Sequence, residues 1–213
     1  MILPEEIVLL TLDDVTGEVV GRQGMAAGTA LAGAVLMELS LLGRVDTDGE
    51  KLLLPSDAPT GHAVLDDALQ LLTKQGPADS RAALMLLARD SDAMRAGLLA
   101  GLVSQGLLRQ ERGGFLRLFG TRYPKAAGRE DTTAEVRSRL RDLVLGQDLP
   151  EPRDALLLCL VRSSGLLRLL FSTEELEAVQ DRLNLLVKLE ALNRSLGGLI
   201  ADMVSRRLRA AGA

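Results

Sequence analysis

Residues 26–42 read AAGTALAGAVLMELSLL and consist mostly of Ala, Gly, Leu and other small or aliphatic side chains. Ala and Leu are strong helix formers, and the stretch contains no proline, so its spacing predicts a helix. Gly28 and Gly33 would weaken such a helix on a surface. They make sense where another helix approaches closely, which places this helix at the centre of the molecule.

The flanking sequence supplies more helices. Residues 4–11 form a short apolar helix, with Pro4 suited to its first turn and Glu5 and Glu6 near its positive end. A turn at Asp13–Gly17 follows. Downstream, Asp48–Gly49 between short apolar flanks signals a hairpin. The segment LPSDAPTGH (54–62) is turn-like: Ser56 or Asp57 can bond local backbone, Pro59 fixes one φ, and Gly61 permits an unusual one. Thr60 is the expected cap of a helix over about 62–75. Helices are expected over 78–89 and 91–105, the second capped by Ser91. RQERGGFLRLFGTRYP (109–124) reads as a second hairpin with Gly113–Gly114 at its tip. Asp131 or Thr132 caps a helix carrying Val136, Leu140, Leu143 and Val144 on one face. Apolar helices follow at about 153–163, 173–189 and 190–209. The expectation is a single all-α domain over 1–213, with one or two small β-hairpins.

Composition narrows the function. Only 2% of the 213 residues are aromatic, so the core is built from Leu, Ala and Val, which favours helix packing over a β-sandwich. A formal charge of −4 argues against a general nucleic-acid binder. The start of the chain, MILPEEIVLLTLDD, lacks the basic opening of a signal peptide. No apolar run approaches the ~20 residues that span a bilayer. The expected location is therefore the cytoplasm, with or without attachment to the inner face of the cell membrane. Of the 25 basic residues, 21 are Arg, a bias typical of GC-rich coding that points to a bacterial source.

Little in the chain points to catalysis. His62, the one histidine, has no accompanying Ser or Cys nucleophile motif and reads as an exposed or capping residue. Cys159, the one cysteine, sits in ALLLCLVR and reads as a buried, inert thiol. No CxxC or HExxH pattern marks a metal site, and Gly21, Gly24, Gly28 and Gly33 form no phosphate-binding motif, so no cofactor is expected. The acid pairs Glu5–Glu6, Asp13–Asp14 and Asp66–Asp67 read as solvated faces and caps. Arg206, Arg207 and Arg209 suit the C-terminal end of the last helix.

One region stands apart. Between 109 and 129 there are six basic residues (Arg109, Arg112, Arg117, Arg122, Lys125, Arg129) and one acid, Glu111. Three of the four aromatics, Phe115, Phe119 and Tyr123, lie there too, whereas residues 1–60 hold ten acids and three bases. On a strand, Phe115, Arg117 and Phe119 share one face, and Leu116 and Leu118 the other. Such a hairpin can meet an anionic membrane, fold onto its own core or pack on a second subunit.

These residues carry a family resemblance over nearly the whole chain. LPEEIVLLTLDDVTGEV, LMELSLLGRV, SDAPTGHAVLDDAL, LVSQGLL and FLRLF together resemble the Golgi phosphoprotein 3 family, here in a bacterial, actinobacterial member. The resemblance implies a central helical bundle ringed by short amphipathic helices, with a projecting β-hairpin. It implies no enzyme activity. Eukaryotic members are peripheral membrane adaptors that bind phosphatidylinositol 4-phosphate and hold glycosyltransferases by their cytoplasmic tails. Their lipid site uses a Trp, an Arg on the central helix, and two Arg three apart on a later helix. Here those positions fall near Gln23, at Ala32, and at Asp92 and Arg95. Arg95 matches, and Arg22 lies close enough to substitute for the Arg missing at Ala32. The resemblance thus implies a degenerate headgroup site of Arg95 and Arg22. It also gives a hairpin, Arg112 with Phe115, Leu116, Arg117, Leu118 and Phe119, for membrane contact or self-association. Expected partners are an anionic phospholipid surface, a second copy of the chain through 109–123, or another protein. The alternative is a soluble interaction module that has lost lipid binding.

Overall fold

The computed structural model describes residues 1–20, 25–48, 51–111, 121–128, 130–147, 150–186 and 188. Within them the chain is mainly helical: α1 (Leu3–Leu10), α2 (Met25–Leu41), α3 (Ala63–Gln75), α4 (Ser80–Arg89), α5 (Ser91–Ser104), α6 (Glu130–Leu145), α7 (Pro152–Ser163) and α8 (Thr173–Ala178), with a short 3₁₀ turn at Leu166–Leu169 between the last two. One antiparallel hairpin pairs β1 (Asp46–Thr47) with β2 (Leu52–Leu53). The bridges Leu108–Lys125 and Glu111–Arg122 pair a second stem, and residues 112–120, where the tip is expected, lie outside the described residues. This is the all-α architecture with small hairpins that the sequence predicts.

α2 packs against α1, α3, α4, α5 and α7. Its glycines sit where the neighbours come closest. A Cβ on Gly28 would lie 2.7 Å from Ser91 Oγ, and one on Gly33 would lie 2.9 Å from Leu160 Cδ2. A single apolar core runs from Leu3 to Leu186 and includes side chains from each of the helices α1 to α7.

α1 is the unusual element. All eight of its residues are buried, Glu5 and Glu6 included. An isolated helix of this length is unstable in water, so it forms only because its surroundings cover it. Burial of Leu3, Ile7, Val8, Leu9 and Leu10 is worth roughly 2 kcal/mol per side chain. That burial also removes water from the unpaired backbone groups at both helix ends, and these need other partners. At the N-terminus, Ile2 N donates to Glu5 Oε2 (3.0 Å) and Leu3 N to Glu38 Oε2 on α2 (2.8 Å). At the C-terminus, Arg137 from α6 donates to Leu10 O (3.0 Å), Leu12 O (2.9 Å) and Leu169 O (2.8 Å). Thr11 Oγ1 donates to Val8 O (2.7 Å) and accepts from Arg95 Nη1 on α5 (3.0 Å).

Several expectations are corrected. Asp90, not Ser91, is the N-cap of α5; Ser91 is its first helical residue and sits against Gly28. α6 already begins at Glu130, so Asp131 and Thr132 lie inside it rather than capping it. The helix expected over 173–189 breaks at Val179, after which 180–186 is helical again. α8 is capped by Ser172, whose Oγ accepts from Glu175 N while Glu175 Oε2 accepts from Ser172 N. Cys159 is half-buried rather than buried. The glutamates of the pair Glu5–Glu6 are 4% and 3% exposed, not solvated. Glu5 does cap the start of α1 by accepting from Ile2 N, but neither acid lies on a solvated face because α1 has none. The expected helix at 190–209, with Arg206, Arg207 and Arg209, lies outside the described residues.

Arg137→Ala strips partners from three carbonyls at once and should cost at least about 3 kcal/mol in chemical denaturation. Arg109→Ala, at a side chain 59% exposed, should cost less than about 0.5 kcal/mol. Equal losses would mean that Arg137 is a surface residue in solution.

Candidate functional site

The residues expected to meet lipid divide into those that the structure places and those that fall outside it. Arg22, Gln23 and the hairpin-tip residues Arg112, Phe115, Leu116, Arg117, Leu118 and Phe119 are outside the described residues. Arg95 is on α5, 8% exposed, and holds the Thr11 hydroxyl at the end of α1. Asp92 lies one turn earlier on the exposed side of α5, and Ala32 is fully buried in α2.

The base of the second hairpin is electrically balanced. Arg122 pairs with Glu18 (2.6 Å), Lys125 with Asp14 (3.2 Å) and Arg109 with Glu111 (3.8 Å). Asp14 also pairs with Arg137 (3.1 Å). Two of these acids, Asp14 and Glu18, come from the 13–18 turn, which is distant in sequence. Asp13 shapes that turn by accepting from Val15 N and Thr16 N, and those bonds hold its carboxyl below the usual range. Gly17, at φ +65°, lets the turn lie against the stem: a Cβ there would fall 2.3 Å from Pro124 N. Tyr123 N donates to Gly17 O at 2.7 Å. The positive charge counted over 109–129 is thus met at its base by acids that a linear count assigns elsewhere.

The SDAPTGH segment forms a braced corner. Ala58 N donates to Ser56 Oγ (3.2 Å), and Thr60 N and Oγ1 both donate to Asp66 Oδ1 (2.6 Å each). The Thr60 hydroxyl, with its amide, holds the Asp66 carboxyl below its usual range. Arg44 closes the corner from outside, donating to Ala58 O (2.8 Å) and Leu42 O (3.1 Å). The N-cap residue of α3 is His62, and Thr60 acts one step back by accepting from His62 N (3.1 Å). The His62 side chain turns inward, with Nε2 3.6 Å from Glu5 Oε1.

That contact opens onto a cluster absent from the sequence expectation. Three carboxylates, Glu5, Glu6 and Glu38, are each under 5% exposed. Glu38 accepts from Arg153 Nη2 (2.8 Å). Glu6 accepts from Arg139 Nη2 (2.6 Å), and Arg139 Nε also reaches Asp154 (2.7 Å). Glu5 accepts from Gln105 Nε2 (3.1 Å). The Glu6–Arg139 pair is lopsided. Burial pushes the Glu6 carboxyl up despite Arg139. Burial also opposes the charge on Arg139, yet its two carboxylates outweigh that and push it up. The carboxylate is the fully buried partner, so its cost governs the pair. The signal for this cluster was Glu38, a lone acid inside an otherwise apolar helix.

Among the described residues, no three His, Cys, Asp or Glu side chains gather to hold a metal. No described helix is long and apolar enough to cross a membrane.

Because its folded pKa is raised, Glu6 favours folding most at a pH low enough to protonate it in both states. It costs stability once pH exceeds the folded value. Glu6→Gln keeps an acceptor for Arg139 without the charge. It should match the wild type below about pH 4 and be equally or more stable at pH 7, read by thermal unfolding. A variant less stable at pH 7 would show that the ion pair outweighs burial.

The family model for Golgi phosphoprotein 3 (GPP34) matches residues 3–210, nearly the whole chain. On that match and this helical architecture, the chain belongs to the Golgi phosphoprotein 3 family.

Proposed function

We propose that the chain is a non-enzymatic, peripheral membrane-associated protein that binds anionic phospholipid weakly through a degenerate phosphatidylinositol 4-phosphate-type site. Family membership over residues 3–210 carries this reading. The weakness follows from the residues present. Asp92 offers a negative charge where the family's site offers an Arg, and a phosphate is repelled by it. Ala32 offers no donor, and Arg95 is engaged with Thr11. Contact then depends on the hairpin over 109–123, where basic residues near an anionic surface add about 1 kcal/mol each. The site of action is the inner face of the cell membrane.

A second reading has its own support. Arg122 and Lys125 already pair with Glu18 and Asp14, so less charge is left for lipid. On that reading the hairpin serves self-association or a protein partner, and the chain is a soluble adaptor.

Co-sedimentation with vesicles of phosphatidylcholine alone, or with phosphatidylserine or phosphatidylinositol 4-phosphate added, separates the two. Weak lipid binding predicts pelleting that needs anionic lipid, falls as salt is raised, and is lost in Phe115→Asp. Pelleting equal on all vesicles, or unchanged by Phe115→Asp, overturns it. A dimer that dissociates in the same variant during size-exclusion chromatography with light scattering supports the second reading.

A further inference from the structure

We propose that His62 and Glu5 form a proton-dependent clasp that joins the 54–62 corner, the start of α1 and the end of α5. Of the three carboxylates buried at the heart of the fold, two have guanidinium partners: Arg139 for Glu6 and Arg153 for Glu38. Glu5 has none. Among the described residues its contacts are two neutral donors, Ile2 N and Gln105 Nε2, and the imidazole of His62. Among the described residues its route to a cationic partner is the protonation of that ring. Histidine is the side chain whose ordinary titration falls between pH 5 and 8.

The geometry suits such a switch. The His62 side chain is 26% exposed, so protons reach it, while the Glu5 side chain is 5% exposed, so its charge is poorly screened. Two carboxylates lie against His62, Glu5 from α1 and Asp66 one turn along α3, while the Arg44 guanidinium sits on the same corner at Ala58 O. No Arg or Lys among the described residues forms an ion pair with either acid. Among the described residues His62 Nδ1 is buried without a hydrogen-bond partner, so the clasp requires the charge gained beside Glu5 at Nε2 to outweigh an unsatisfied N–H at Nδ1.

Three segments meet at the clasp. His62 ends the corner braced by Thr60 and Arg44. Glu5 closes the first turn of α1. Gln105 is the C-cap of α5, three residues before the hairpin stem begins at Leu108. A charged imidazole tightens the corner onto α1 and steadies the junction that leads into the hairpin. On this proposal a charged ring adds stability that a neutral ring does not, so the gain lies at the acidic end of the range in which histidine ordinarily titrates. Glu6 also favours folding at lower pH, so its contribution must be cancelled by comparing variants that retain it.

His62 is the one histidine in the chain, so its imidazole proton resonance is unambiguous by NMR. Its titration midpoint should fall in Glu5→Gln; an unchanged midpoint overturns the clasp. Thermal unfolding of the wild type and His62→Gln should differ by about 2–4 °C near pH 5.5, in favour of the wild type, and converge near pH 8. Parallel profiles across that range also overturn it. The wild-type titration itself needs no variant to fold, and a midpoint below that of a free histidine would contradict the proposal outright.

Discussion

The fold depends on burying a polar-ended helix. α1 is covered on every side, so its terminal N–H and C=O groups cannot turn to water. Each end is instead satisfied by side chains from distant parts of the chain: Glu38 from α2 at the start, and Arg137 from α6 at the finish. Thr11, just past the end, is held by Arg95 from α5. These bonds fix where α2, α5 and α6 stand relative to α1. Apolar packing supplies the driving force, while the polar ends fix the arrangement.

That constraint gives the arginines a structural purpose beyond composition. A guanidinium presents several donors in a planar fork and stays charged when half-buried. Arg137 reaches three carbonyls, Arg141 takes Leu170 O together with Glu175, and Arg162 takes Leu183 O and Asn184. A lysine at any of these positions would place a point charge where a fork is needed. Arg95 belongs to the same group. It serves the end of α1 through Thr11, and under the proposed function it is also the residue that would meet a headgroup phosphate. A headgroup that drew Arg95 away would compete with a bond inside the core.

The helices were legible because each has a local cause. Small residues and Gly28 and Gly33 marked α2 as central, and the structure places other helices against both glycines. SDAPTGH was legible as a corner because Pro, Gly and short polar side chains act over a few residues. The misreadings share a different cause: they turn on pairings across long separations. Glu6 reads as a surface acid because nothing nearby reveals that Arg139, 133 residues away, will meet it. Arg122 and Lys125 count toward a basic cluster in the sequence, and their partners Glu18 and Asp14 are not visible there because they lie about a hundred positions earlier. Ser91 and Asp90 are both residue types that favour an N-cap, and Ser91 instead sits inside α5 against Gly28. The family was legible because several segments along the chain carry the resemblance together, and the family model matches residues 3–210.

Native-state hydrogen exchange tests the keystone role of α1 most directly. If its ends are held as described, the amides of Ile7 to Leu10 exchange only through global unfolding, with the same free energy as the centre of α2. Amides in α1 that exchange at markedly lower free energy, through local opening while α2 stays protected, would contradict it.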